Sequence, residues 1–290
     1  LKTIKDNKDY NIDLIIVDDG STDKSIEVIK KIREENDIKS LIKVIKLSKN
    51  YGFHIAVTAG IEFAKKSDAV IICPVDDYFL SDYIKKIIEK FVSSQSEIVW
   101  SVRKEKKTFI GNFFRKIFYN LFIYFSGFKN YPKNGTSAFF MLSSKIVKKF
   151  LEYKEVNRII NVLIFSMGFK QSFIEYEERD DIRNSKYNFF SKLKLALDCF
   201  VSYSYIPMRI SSLFGIVISI LSFIYLSVII FEYFFYGTII EGWASIIVLV
   251  LFLGGVQLLT LGFLGEYIWR ISVETKKKPL YLVDWEEGFD

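Results

Sequence analysis

Two stretches without a single charged residue, Ile210 to Phe231 and Trp243 to Gly265, limit what this chain can fold into more than any other feature of it. At about 1.5 Å per helical residue, each is long enough to cross a hydrocarbon core about 30 Å thick. The link between them holds Glu232 and Glu241 and no Lys or Arg. Their succession predicts a hairpin of two transmembrane helices rather than a pair of buried core helices. Lys192, Lys194 and Arg209 precede the first stretch, and Arg270 and Lys276 to Lys278 follow the second. Basic flanks mark the cytoplasmic side, so a multi-pass protein of the cytoplasmic membrane with both termini in the cytoplasm is expected. Gly254, Gly255, Gly262 and Gly265 would let helix backbones approach closely, within the hairpin or in a homo-oligomer.

The remaining composition fits a second, water-facing part. Half of the 290 residues are hydrophobic while 26% are charged, which requires the two classes to be segregated along the chain. The formal charge of +6 suits an anionic lipid, a phosphorylated substrate or nucleic acid equally well. No nucleic-acid motif supports the last of these, since the aromatic residues accompany membrane-like helices rather than a basic groove. Cys73 and Cys199 are far apart and flanked by apolar residues, so both are expected to be small buried hydrophobes in a reducing compartment.

Up to residue 205, short apolar runs alternate with helical patterns. Leu14 to Val17, Ile42 to Leu47 and Ala69 to Cys73 read as strands, with Ile26, Ile29 and Ile32 and the segment Ala56 to Ala64 as the helices between them. This is the rhythm of a parallel sheet covered on both faces. Ile84, Ile87, Ile88 and Phe91 mark a further helix, which Ser81 would cap, and Glu97 to Val102 another strand. The first apolar run already ends in an Asp-rich turn of the kind that follows an interior strand, so one more strand is expected ahead of it. Amphipathic, aromatic helices are expected over 109–128 and 189–205, suited either to packing on the sheet or to lying in the membrane interface. The domain plan is thus an α/β domain at 1–188, a juxtamembrane amphipathic helix at 189–209, two transmembrane helices at 210–271 and a cytoplasmic tail at 272–290.

Two carboxylate clusters carry chemistry. Asp18, Asp19, Ser21 and Asp23 follow the first strand, and Asp76 and Asp77 follow the third. Ligands of open α/β sheets bind at the carboxyl ends of strands. An aspartate there accepts hydrogen bonds from ribose hydroxyls or a base N–H, and Gly20 permits a tight turn close to a ligand. The plain alternative is a turn with Ser21 or Thr22 capping the next helix. Hard oxygen ligands suit Mg²⁺ or Mn²⁺ bridging a diphosphate. His54, the one histidine, is read as a helix-start residue.

Four segments give the chain a family resemblance: Val17-Asp18-Asp19-Gly20-Ser21-Thr22-Asp23; Leu47-Ser48-Lys49-Asn50-Tyr51-Gly52 with Ala59-Gly60; Ser185-Lys186-Tyr187; and Gly265-Glu266-Tyr267-Ile268 with Lys278-Pro279-Leu280-Tyr281. The sequence resembles family two glycosyltransferases of GT-A fold, and among them the polyisoprenyl-phosphate glycosyltransferases. The resemblance runs over nearly the whole chain. It implies a Rossmann-like, mainly parallel α/β sheet, with a first strand that lies ahead of this sequence.

Carried over by position, the resemblance assigns Asp18, Asp19 and Ser21 to the nucleotide and Asp76, with Asp77, to the metal, Mg²⁺ or Mn²⁺. The first acidic position of the family's Asp-x-Asp motif falls on Pro74, a departure from the pattern. Arg103 takes the place of a phosphate-contacting arginine. Arg179, Arg183, Ser185 and Lys186 approach the acceptor phosphate. Asp76, Arg103 and Lys186 are the implied catalytic residues.

The implied reaction is inverting transfer of a sugar from a nucleotide-diphosphate sugar to a polyprenyl phosphate lipid. A phosphate monoester is largely ionised at neutral pH, with a second pKa near 6, so the attacking oxygen needs no strong general base. The alternative is an inert membrane-anchored homologue that binds a nucleotide-sugar or a partner without turnover. A processive polysaccharide synthase would show more spans and a Gln-x-x-Arg-Trp motif, whereas Trp269-Arg270 has the wrong order and place.

Overall fold

A computed structural model describes residues 10–35, 41–75, 83–104, 135–177 and 242–289, with scattered positions between 120 and 132 and between 213 and 235. It divides into two compact units, Leu1–Lys186 with Lys278–Asp290, and Tyr187–Lys277.

In the first unit, the β-branched run Leu14–Asp18 forms β1, which pairs in parallel with β2, Ile42–Leu47. Helix α1, Ser25–Glu35, connects them. Its start is fixed by Asp23, whose carboxylate accepts the Ser25 amide at 2.9 Å, and not by Ser21 or Thr22. Helix α2, Phe53–Phe63, follows β2. Successive residues of β2 face opposite ways, and both faces are covered, which is why each face carries apolar residues, four among its six positions. Ile42 and Val44 pack with Ile26 and Ile29 of α1, while Ile45 and Leu47 pack with Ala56 and Ala59 of α2. Ile32, on the same expected stripe, is instead 40% exposed. A Cβ on Gly60 would come within 3.2 Å of Val17, so glycine lets α2 lie close on β1.

The other edge of β2 is closed from the far end of the chain. β7, Val283–Glu287, runs antiparallel to β2 and sets Trp285 against the α1 face and Val283 against the α2 face. By sequence pattern this segment is a tail; pairing with β2 makes a strand of it.

A second sheet has the order β3 (Ala69–Ile72), β5 (Phe140–Ser143), β4 (Ile98–Arg103), β6 (Gln171–Tyr176). β4 and β6 are parallel, and β5 runs antiparallel to both of its neighbours. The expectation of a mainly parallel sheet is therefore corrected: the described sheets are mixed, because β5 and β7 enter in the opposite direction. β1 and β3 are each edge strands among the described residues. Helix α3, Ile84–Ser94, buries Ile87 and Ile88 on this sheet. Helix α4, Ser144–Glu152, begins at Ser143, whose hydroxyl accepts the Ile146 amide and also donates to Glu97 at 2.5 Å. That hydrogen bond, with Lys145 beside it, holds the Glu97 carboxyl below its usual range. Helix α5, Ile160–Ser166, completes the layer. Trp100 is fully buried against Phe140, and its indole N–H donates to Gln171 at 2.6 Å.

In the second unit, α6 spans Trp243–Thr275, a helix of 33 residues and about 50 Å. It continues beyond Gly265, where the uncharged stretch ends. Its part Phe252–Thr275 is the one helix among the described residues long and apolar enough to cross a membrane. Of the first uncharged stretch, the described positions are helical and include a shorter apolar helix, Gly215–Tyr225.

Candidate functional site

The carboxyl ends of β1 and β2 form a rigid double turn. Asp18, the last residue of β1, is buried, and its Oδ2 accepts the Ser21 amide at 3.0 Å. Asp19 reaches across to the loop after β2: its two carboxylate oxygens accept the Tyr51 and Gly52 amides, each at 2.7 Å. Gly20 has φ +69°, and a Cβ there would stand 2.3 Å from the Lys49 carbonyl carbon and 2.7 Å from the Asn50 nitrogen. Only glycine permits this approach. Gly52, at φ +90°, turns the chain into α2.

The other end of the same loop is held by the C-terminal segment, where the Ser48 amide donates to the Leu282 carbonyl at 2.9 Å. The Tyr281 hydroxyl donates to Glu62 on α2 at 2.6 Å. Burial, and then the Glu62 carboxylate, push the Tyr281 phenol well above its ordinary range. Between these fixed ends, Ser48, Lys49 and Asn50 are exposed, with the Lys49 ammonium 5.1 Å from the centre of the Tyr51 ring.

His54, in the first turn of α2, is half-buried, and its Nδ1 accepts the Ile160 amide at 3.4 Å. Burial lowers its pKa, so the neutral ring that this acceptor role requires is favoured. The next residue, Asn161, donates to the Thr136 and Ser137 carbonyls, and the Ser137 amide donates to Ser101 of β4. Below it, the buried Arg158 donates to Thr58 of α2 and to the Glu155 and Tyr153 carbonyls, its guanidinium lying over Phe150. This network ties the loop side of the first sheet to β4 of the second. The sequence reading missed Arg158 and Asn161. Its one usable sign for the C-terminal contact was the Lys278-Pro279-Leu280-Tyr281 segment.

Arg103 ends β4 in register with Tyr176, which ends β6. Lys104 and Glu177 continue the same two chains and pair at 2.7 Å. That hydrogen bond and its charge raise the Lys104 pKa and lower that of Glu177. At the end of β3, Cys73 is exposed, which corrects the expectation that it is buried: the chain leaves the sheet here, ahead of Pro74.

The structure thus brings Asp18, Asp19 and Ser21 together and places Arg103 at a strand end. Asp76, Asp77, Arg179, Arg183, Ser185 and Lys186 lie outside the described residues. Among the described residues there is no group of three or more His, Cys, Asp or Glu suited to a metal ion, and the Asp18 and Asp19 carboxylates face backbone amides. The metal expectation accordingly rests on Asp76 and Asp77.

Residues 1–176 match the family model described as glycosyl transferase family 2. Over its full length the chain is 33% identical to an uncharacterized glycosyltransferase, YkcC, of Bacillus subtilis, covering 88% of that protein. It is 32% identical to the putative glycosyltransferase CsbB of the same organism, over 96% of this chain and 83% of the relative. It is 29% identical to a prophage bactoprenol glucosyl transferase homolog of Escherichia coli, over 98% of this chain and 91% of the relative.

Proposed function

This chain belongs to glycosyl transferase family 2, and from that membership we propose that it transfers a sugar from a nucleotide-diphosphate donor to a polyprenyl phosphate at the cytoplasmic face of the membrane. The observation that carries the reading is the union, in one chain, of a rigid acidic turn at the carboxyl ends of β1 and β2 with a long apolar helix, α6. The relatives named as bactoprenol glucosyl transferases, matched over 91% and 92% of their length, support a lipid phosphate as acceptor.

In this reading the turn of Asp18, Asp19 and Ser21 takes the nucleoside. Asp76, with Asp77, would hold Mg²⁺ or Mn²⁺, which when bound supplies positive charge to the leaving diphosphate. Arg103 faces the donor phosphates. Arg179, Arg183, Ser185 and Lys186 receive the acceptor phosphate. An acceptor oxygen attacks the anomeric carbon from the face opposite the leaving nucleoside diphosphate, so configuration inverts. Because the acceptor is already ionised, the protein contributes alignment and charge neutralisation rather than a strong base. The two uncharged stretches form a hairpin with both ends in the cytoplasm, which keeps the catalytic unit where lipid phosphate lies.

The test is mass spectrometry of lipid formed when membranes carrying the protein are given polyprenyl phosphate and a panel of nucleotide-sugars. A glycosylated polyprenyl phosphate is expected with one donor. No product with any donor would favour the inert homologue, for which Pro74 in the acidic motif is the motivating residue.

A further inference from the structure

Resting on the reading that the chain uses a nucleotide-sugar, we propose that Asn161 and Ser137 read a hydroxyl group of the donor's sugar. Asn161 lies in the first turn of α5, and its Nδ2 donates to the Thr136 carbonyl at 3.3 Å, the Thr136 hydroxyl at 3.0 Å and the Ser137 carbonyl at 2.9 Å. Carbonyl oxygens only accept, so the end of the carboxamide that faces them is the NH2. A flip of the amide would set oxygen against oxygen. Oδ1 is therefore on the side away from these carbonyls, and no donor among the described residues meets it. Ser137 accepts the Phe139 amide on its Oγ at 3.2 Å, which leaves the hydroxyl proton to be given elsewhere. Both residues are half-buried.

The pair is anchored from both sheets at the strand ends, where ligands of such sheets bind. On one side the Ser137 amide donates to the Ser101 carbonyl at 2.9 Å, two residues ahead of Arg103 at the end of β4. On the other, the Ile160 amide next to Asn161 is bound to His54, two residues beyond the Gly52 amide that Asp19 holds. The chemistry of the pair then selects its ligand. A fixed acceptor beside a hydroxyl donor suits a group that both gives and takes a hydrogen bond, as a hydroxyl does. An ionised phosphate only accepts, and Oδ1 would repel it. The polyprenyl chain of the acceptor carries no hydroxyl, so the group belongs to the donor. The acidic turn takes the nucleoside in this reading, which leaves the sugar. Three hydrogen bonds already hold the carboxamide, so little further ordering is needed when the ligand binds.

The test gives the full chain in detergent polyprenyl phosphate with UDP-glucose, UDP-galactose, UDP-N-acetylglucosamine or GDP-mannose, and then the monodeoxy forms of the donor that reacts. Asn161→Ala should lower kcat/KM for the intact donor about tenfold, as loss of a hydrogen bond does, with affinity for the free nucleoside diphosphate within about twofold of the unaltered chain. With one monodeoxy donor, and with that one alone, the variant and the unaltered chain should react alike within about twofold, because the partner of Oδ1 is then already gone. The same loss with every deoxy donor would assign Asn161 to holding its loop, and an equal loss of nucleoside diphosphate affinity would assign the hydroxyl to ribose; either result overturns the proposal. If Asn161→Ala does not fold, Ser137→Ala keeps the carbonyl that the carboxamide holds and removes the hydroxyl. It should single out the same deoxy donor, and a uniform loss across donors would again overturn the proposal. No product from any donor with the unaltered chain would sink the transferase reading itself, and this proposal with it.

Discussion

Removing residues 278–290 should unfold much of the first sheet, although sequence alone presents them as a tail. The segment lays four half-buried side chains on the core: Trp285 on the α1 face, and Tyr281, Val283 and Phe289 on the α2 face. Full burial of a large apolar side chain contributes about 1.5–3 kcal/mol, so four at about half burial contribute roughly 3–6 kcal/mol. Whole-domain stability is about 5–15 kcal/mol, so the loss is a large fraction of it. Truncation also removes the Glu287 carboxylate that pairs with Arg33, a residue only 7% exposed. For a unit of this size about 2–4 °C accompanies each kcal/mol, which sets the expected drop in midpoint at roughly 6–24 °C. Tryptophan fluorescence during heating of detergent-solubilised protein reads this directly, since Trp100 is fully buried. Trp285→Ala alone should give a smaller drop of the same sign. A truncated protein that melts within about 2 °C of the full chain would refute the reasoning.

The lowered pKa of His54 makes stability fall as pH drops below the ordinary value of 6.5, because the unfolded chain then takes up a proton that the folded one resists. His54→Asn, which keeps an acceptor for the Ile160 amide, should flatten the melting temperature between pH 7.5 and the acid side of that window; an unchanged slope would assign the effect elsewhere. Asp76→Asn should remove most transferase activity, and Pro74→Asp should lower the Mg²⁺ or Mn²⁺ concentration needed for half-maximal rate. Full activity of Asp76→Asn in excess chelator would exclude the metal role. Lys186→Ala should raise the KM for lipid phosphate or lower turnover with nucleotide affinity nearly unchanged, and equal loss of nucleotide binding in a titration would count against its place at the acceptor.

Elements built by local pattern were legible in the sequence. The β-branched runs at Leu14 and Ile42 and the helical spacing of Ile84, Ile87, Ile88 and Phe91 follow from strand and helix periodicity alone, and the buried faces came out as expected. Elements built by distant partners were not. β5 is a four-residue run, Phe140–Ser143, too short for its period to set it apart, and it is a strand because β3 and β4 flank it. β7 carries Asp284, Glu286 and Glu287 and reads as solvent-facing until β2 supplies its pairing. At the candidate site, the Asp-Asp-Gly-Ser turn was visible as chemistry. The division of labour within it was not, because Asp19's partners, the amides of Tyr51 and Gly52, are backbone groups that leave no mark on residue identity. Cys73 misled because its apolar neighbours belong to the strand, whereas the cysteine lies just past the strand's end.

The route by which β7 reaches β2 also governs how this protein must be made. Val44 pairs with Glu287 across roughly 240 residues of chain, a separation that includes the whole of α6. At about 5–20 residues per second on the ribosome, β2 waits roughly 12–50 s for its partner. Through that interval one side of β2 carries unpaired N–H and C=O groups, the kind of edge on which neighbouring chains pair. Synthesis of the apolar segments therefore comes first, and closure of the first sheet is a late step of biosynthesis. A stalled or prematurely ended translation product would carry a complete β1–α1–β2 sequence with its outer edge open, a natural substrate for quality-control proteases.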